Sequence, residues 1–237
     1  MMFDSPLLPG TLVRRYQRFL ADVALDESGQ VVTAHCPNSG SMLSVNEAGS
    51  RVWLSPADGP GRRLRYTWEL VAVNGTLVGI NTGRPNRIAA AAIAAGRIPE
   101  LSGYSSIRRE VKVGTNSRID LVLEKPEGPP CYVEVKNVTL RRGGNGAPVE
   151  FPDAVTSRGA KHLKELAALA GTGARAVMLY LAQRDDADAF AIAADIDPDY
   201  GTGLAAAMDG GVEALCYACH VSTKAIVLAG RLPLIAP

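Results

Sequence analysis

The chain has 237 residues, 47% of them hydrophobic, and 25 Lys and Arg against 24 Asp and Glu give a net charge of +1. That length holds one large domain or two small ones around a sizeable core. No apolar run approaches the ~20 residues a bilayer span needs, so no membrane partner is expected. The first residues, Met-Met-Phe-Asp-Ser-Pro-Leu-Leu-Pro, lack the basic and apolar regions of an export signal. The expected location is cytoplasmic, with Cys36, Cys131, Cys216 and Cys219 as reduced thiols.

The near-zero net charge hides an asymmetry. Residues 1–83 balance seven basic and seven acidic groups, residues 84–142 carry eleven basic against six acidic, and residues 143–237 carry seven against eleven. A positive middle suits a polyanion such as DNA.

Residues 10–83 read as all-β. Gly10 to Val23 suits one long strand, Asp26–Gly29 a turn, and Val31–Ala34 and Arg51–Ser55 two further strands. Tyr66–Val73 and Thr76–Ile80 flank Asn74-Gly75, the strongest short hairpin signal. Five short strands in this span predict a small barrel of the OB type, in a domain covering 1–83. Such barrels bind single strands through a basic groove with stacked aromatics, and Arg14, Arg15, Tyr16, Arg18 and Phe19 supply both kinds of side chain. The alternative is a solvated strand with Phe19 in the core. His35-Cys-Pro-Asn-Ser-Gly-Ser-Met42 interrupts the barrel as a turn. His35, Asn38 and Gly40 are loop candidates for a small ligand, although no second His or Cys lies near in sequence.

The second domain is expected over 84–237. Residues 87–97 are alanine-rich and helix-forming, with Asn86 as N-cap and Gly96 as the stop. Ile107–Val113 is a strand carrying Arg108, Arg109, Glu110 and Lys112, and Gly114–Asn116 a tight connection into the next. Ser117–Leu123, with Arg118 and Asp120, and Tyr132–Asn137, with Glu134 and Lys136, read as a hairpin around Pro126, Gly128, Pro129 and Pro130. Arg141-Arg142-Gly-Gly-Asn-Gly is a basic loop suited to phosphate contacts, or a plain mobile one. Asp153 is a weaker site candidate, or simply a turn with Pro152, before a helix containing Lys161, with Leu163, Leu166, Ala167 and Ala170 toward a sheet. Ala174–Leu181 is an apolar strand covered on both faces. A strand near 189–196, a short helix near 204–208 and strands near 213–221 and 225–231 complete the chain. Cys216-Tyr-Ala-Cys219-His220 matches a haem-attachment pattern, but on a strand residues three apart face opposite sides, so that reading is rejected.

The hairpin carries the chemistry. It brings Asp120 near Glu134, and the period of two puts Lys136 on the face of Glu134. Two carboxylates can hold a magnesium or manganese ion, and a neighbouring lysine can orient water or stabilise charge on a phosphate. Asp, then Glu-x-Lys after 14 positions, resembles the PD-(D/E)xK nuclease signature. The order helix, three meandering strands, helix, strand over 86–182 is the core order of that fold. A surface hairpin with solvated charges remains the plain alternative for the triplet alone.

The motifs His35–Met42, Ser117-Arg-Ile-Asp120, Tyr132-Val-Glu-Val-Lys-Asn-Val-Thr139 and Phe151-Pro-Asp-Ala-Val-Thr-Ser-Arg-Gly-Ala-Lys-His-Leu163 closely resemble the sugar fermentation stimulation protein (SfsA) family of bacteria and archaea, over essentially the whole length. Where the family pattern runs Asn-Thr-Gly, this chain has Ser39, which keeps the hydroxyl. The resemblance implies an α/β protein of two domains, an N-terminal OB-like barrel and a C-terminal PD-(D/E)xK nuclease-like domain with a mixed sheet. It also implies DNA binding and a suggested regulatory role in sugar metabolism. Asp120, Glu134 and Lys136 are carried over as the nuclease constellation, with Glu110 added and the Val135 carbonyl as a further ligand to the ion.

Three readings stand: a magnesium-dependent nuclease, a non-catalytic DNA-binding regulator, and a small-molecule or nucleotide-binding module using the His35–Gly40 loop. Strandedness of the substrate, DNA against RNA, and homo-oligomer against monomer stay open.

Overall fold

The computed structural model describes residues 1–57, 59, 61–113, 117–144 and 146–235. Its first unit comprises β1 (Leu8–Tyr16), β2 (Leu20–Leu25), β3 (Val31–His35), β4 (Arg51–Pro56), β5 (Tyr66–Val73) and β6 (Thr76–Gly79), ordered β3-β2-β1-β4-β5-β6. A parallel pairing of His35 with Thr67 joins β3 to β5 and closes five strands into a barrel. Closure leaves the inward positions, among them Leu12, Val23, Val52, Leu54, Trp68 and Val78, as one apolar core. The Trp68 indole satisfies its N–H inside that core by donating to the Leu70 carbonyl at 2.8 Å. The Asn74-Gly75 hairpin forms with both residues in the left-handed region (φ 50° and 83°).

The single strand expected over 10–23 is corrected to two. Tyr16 pairs with Leu20, and the reversal between them places Gln17 and Arg18 at φ 47° and 62°. No glycine, proline or asparagine marks this turn, so the sequence carried no punctuation there. Arg14 and Arg15 therefore lie on β1, Arg18 on the turn and Phe19 just before β2.

The second unit holds α1 (Pro85–Ala94), β7 (Ser106–Val113), β8 (Ser117–Glu124), β9 (Cys131–Val138), β10 (Val149–Phe151), α2 (Ser157–Gly171), β11 (Arg175–Ala182), β12 (Phe190–Ile192), α3 (Pro198–Asp209), β13 (Val212–Val221) and β14 (Ile226–Leu232). The main sheet is mixed, in the order β14-β13-β11-β9-β8-β7, and β10 with β12 forms a separate parallel pair. β7, β8 and β9 meander antiparallel, whereas β9, β11 and β13 run parallel. α1 covers one face, through Ile88 and Ile93 against Leu121, Val133 and Leu179. α2 and α3 cover the other, through Leu163, Leu166 and Leu204 against Val122, Met178 and Tyr180. A sheet covered on both faces accounts for the unbroken apolar run of β11.

Cys216 belongs to the α2/α3 core and Cys219 to the α1 core, on opposite faces of β13. All four cysteines are free and buried. The helix expected over 204–208 begins earlier, at Pro198, because Asp197 caps it by accepting from the Tyr200 N–H at 3.0 Å and Pro198 occupies the first turn. The connection expected at Gly114–Asn116 lies outside the described residues. The chain start runs back to the second unit: the Ile226 N–H donates to the Met1 carbonyl and the Phe3 N–H to that of Lys224.

Candidate functional site

The site grows from the β8–β9 register. The paired ladder ends at Leu121 and Val133; just beyond it Asp120 comes close to Glu134, and alternation along β9 puts Lys136 on the face of Glu134. Asp120 Oδ2 accepts from the Val135 N–H at 2.8 Å and Oδ1 from the Asn86 amide at 2.7 Å. Glu134 is 2% exposed. Its Oε1 accepts from Lys136 Nζ at 2.8 Å and contacts His162 Nδ1, while its Oε2 is buried without a hydrogen-bond partner among the described residues. Burial, then the nearby Glu134 charge, raises the Asp120 carboxyl above its ordinary value. Burial also pushes on Glu134, but the His162 and Lys136 contacts outweigh it and hold that carboxyl below its ordinary value.

Asn86 is not the helix cap expected of it. Pro85 starts α1 one residue earlier, with Arg84 at the N-cap position and no side-chain capping bond. The Asn86 amide points across to the acids instead, reaching Asp120 and, at 3.3 Å, Glu110 Oε1. Glu110 is exposed, at φ 53°, where β7 passes Asp120. No group of three or more His, Cys, Asp or Glu arranged to hold a metal occurs among the described residues, so Glu110 does not complete a three-acid cluster. Two adjacent hard-oxygen donors, a raised Asp120 carboxyl and an unpartnered Glu134 oxygen fit a hard divalent cation, which completes its shell with carbonyls and water.

His162 and Arg158 were not foreseen as site residues. His162 is 6% exposed on the buried stripe of α2, with Gly159, Leu163 and Leu166. The available signal was its helical spacing from those leucines, which turns it to the sheet face bearing Glu134.

The nucleic-acid candidates divide. Arg18 lines a cleft of about 480 Å³ between the two units, together with Asn38, Asn86, Lys136, Asn137 and Arg158. Arg109 and Arg118 are exposed on β7 and β8. Arg108 pairs with Glu124 at 3.1 Å on the surface, and the exposed Lys161 lies 3.6 Å from Glu165. Arg14 pairs with Asp22 at 2.8 Å. Arg15 donates to the carbonyls of Asn38 and Gly40, both at 2.9 Å, and so holds a loop.

The arginines of the basic loop, Arg141 and Arg142, are tied to groups of the protein itself. Arg141 is 9% exposed, and its guanidinium donates to the Ala147 and Gly144 carbonyls and to Asp186. Arg142 is matched by Glu150 and Asp195 on two sides. Both guanidinium groups are thus engaged by protein acceptors, Arg142 by two carboxylates.

The His35–Met42 loop straps the two units together. Asn38 is buried, donates to the Ile80 carbonyl at 3.1 Å and accepts from the Gly40 N–H at 2.9 Å. Asp153 Oδ2 accepts from the Met42 N–H at 2.8 Å, and the Asp153 carbonyl accepts from Ser41 Oγ. The His35 ring stacks on Phe19 at 6.5 Å. A Cβ at Gly40 would lie 2.6 Å from Asp153 Oδ2. Gly40→Ala is therefore expected to displace Asp153 and to destabilise the fold by about 1–3 kcal/mol through the uncovered Met42 N–H; urea unfolding identical to wild type would refute this.

A closed OB barrel joined to a PD-(D/E)xK-type mixed sheet, with the paired acids and lysine beside the cleft between them, defines the class of fold. The sugar fermentation stimulation protein RE domain matches residues 83–225, and the SfsA N-terminal OB domain matches 13–80. The chain belongs to the SfsA family. It is 61% identical over 226 residues to the sugar fermentation stimulation protein homolog of Rhodospirillum centenum, covering 95% of this chain and 96% of that one. It is 55% identical to the homolog of Rhodospirillum rubrum, with both chains fully covered. Among solved structures, Pyrococcus furiosus SfsA in complex with Ca2+ matches with a TM-score of 0.88 at 29% identity, covering 99% of this chain and 98% of that one. No helix among the described residues is long and apolar enough to cross a membrane.

Proposed function

We propose that the protein binds DNA and hydrolyses phosphodiester bonds with a divalent cation, magnesium or manganese, in a regulatory setting of sugar metabolism. The observation that carries this reading is the convergence of Asp120, Glu134 and Lys136, with a Glu134 oxygen left unpartnered. Asp120, Glu134 and the Val135 carbonyl would hold the cation; the calcium in the name of the Pyrococcus relative supports a divalent ion at this fold. A cation so held supplies positive charge against a phosphate oxygen and a more acidic bound water. Lys136, mostly buried beside Glu134, would stabilise charge developing on the phosphate. Asn86 fixes the Asp120 carboxylate from the α1 side, and Arg18 and Arg158 face the strand from the cleft walls.

Both Asp120 oxygens and one Glu134 oxygen already have protein partners, an arrangement that a non-catalytic DNA-binding regulator would tolerate equally. Incubation with single- and double-stranded DNA and RNA, with magnesium or manganese, separates the two readings. Cleavage lost in Asp120→Ala supports the enzyme. Equal cutting by wild type and variant points to a contaminant, and salt-sensitive binding without any cutting supports the regulator.

The cleft assignment has its own test. Arg18→Ala is expected to reduce the slope of log affinity against log salt by about one, while Arg142→Ala leaves it unchanged because Glu150 and Asp195 already neutralise that side chain. The reverse result in a salt titration would move the DNA surface to the 141–146 loop.

A further inference from the structure

Resting on the divalent-cation reading above, we infer that His162 is a positioning residue that selects which oxygen of Glu134 faces the cation, and that Arg158 holds His162 in the tautomer this requires. Arg158 Nε can only donate, and it lies 3.3 Å from His162 Nε2. Nε2 is therefore the acceptor nitrogen, and the ring proton of the neutral imidazole is on Nδ1. Nδ1 faces Glu134 Oε1, so the ring donates there. Lys136 Nζ donates to the same oxygen and also lies 3.0 Å from Nδ1. With the proton on Nδ1, that last contact is a close approach of two donors rather than a hydrogen bond.

Two donors thus converge on Oε1 and none on Oε2, although Oε2 is fully buried. An unpartnered carboxylate oxygen in such surroundings is costly unless something else meets it. The asymmetry orients Glu134 with one oxygen committed to the protein and the other to the ion. A histidine and an arginine four residues apart on α2 do this from outside the strand that carries the ligand, as partners of metal ligands do elsewhere. Arg158 also lines the cleft, so the group that sets the tautomer stands where a DNA strand would pass.

Calcium alone, titrated calorimetrically without nucleic acid, reads this role apart from cleavage. His162→Ala is expected to bind calcium about 10–100-fold more weakly than wild type. His162→Asn places an amide N–H near the position of Nδ1–H and is expected to recover part of that loss. Arg158→Ala, at an exposed position, is expected to weaken calcium binding in the same direction and carries the test if His162→Ala does not melt cooperatively. Wild-type calcium affinity in a folded His162→Ala or Arg158→Ala overturns the inference and leaves the proposed function standing. Equal losses in His162→Ala and His162→Asn overturn it too, by assigning the effect to packing. Wild type that takes up no calcium overturns both.

Discussion

Replacing Asp120 with asparagine is expected to abolish cation-dependent cleavage, by about 10²-fold or more, and at the same time to raise the melting temperature of the cation-free protein. The two effects share one cause. Asp120 is largely buried and lies near Glu134, so its carboxyl is raised by desolvation and by like charge. A carboxyl whose folded value is raised favours folding while it is protonated, and that contribution is lost as pH rises through the folded value. At neutral pH the ionised group therefore opposes folding unless a cation offsets it. Asp120→Asn removes that charge; the new amide oxygen can still accept from Val135, and the Asn86 amide can turn to offer its own oxygen. That gain in stability would appear as a rise in melting temperature of the variant. Melting curves in a chelator from pH 4 to 8 check it. The difference between variant and wild type should be smallest near the ordinary carboxyl value of 3.8 and widen upward. A variant that melts below wild type at pH 8 would show that the acid pair is not under repulsive load.

The second large effect is expected at Glu69, in the barrel unit. Glu69 is 1% exposed on β5 and accepts from Ser55 Oγ, the Asn81 amide and both sides of the Arg84 fork. Glu69→Ala leaves the half-buried Arg84 guanidinium and the buried Asn81 amide facing a cavity. Breaking one partner out of such a network costs about 3–5 kcal/mol, enough to unfold a large share of an ordinary domain. Glu69→Gln keeps the shape and is expected to cost less. The functional consequence follows from position. Arg84 is the N-cap residue of α1, and Asn86, two residues on, holds Asp120. Loosening Glu69 should therefore lower cleavage in Glu69→Gln more than its stability loss explains. Urea unfolding and cleavage at a temperature where the variant is fully folded test both parts. A loss below about 1 kcal/mol for Glu69→Ala would mean that solvent screens the cluster.

Much of this was legible in the chain. Alternation over 117–123 and 132–137 located the hairpin, and the period of two placed Glu134 with Lys136 on one face. The Asn74-Gly75 turn, the apolar run of β11 and the opposed faces of Cys216 and Cys219 were equally local. The misreadings have local causes as well. The turn at Gln17–Arg18 uses residues that usually avoid the left-handed region, so nothing announced it. Asn86 carried a capping signal that Pro85 made redundant. Arg141 and Arg142 looked like free charge because their partners, Asp186, Glu150 and Asp195, lie up to 53 positions away.

By itself the sequence determined the two-part architecture and the acid, acid and lysine of the hairpin, because both rest on periodicity and on partners close along the strand. Only the tertiary structure decided what surrounds them. His162 reaches Glu134 through the packing of α2 on the sheet, Asn86 reaches Asp120 through the seating of α1, and Asp153 fastens the barrel loop across the cleft. Those contacts join residues 28 to 111 positions apart, and hydrogen bonds over such separations depend on how whole elements pack, a quantity with no local signature in the chain.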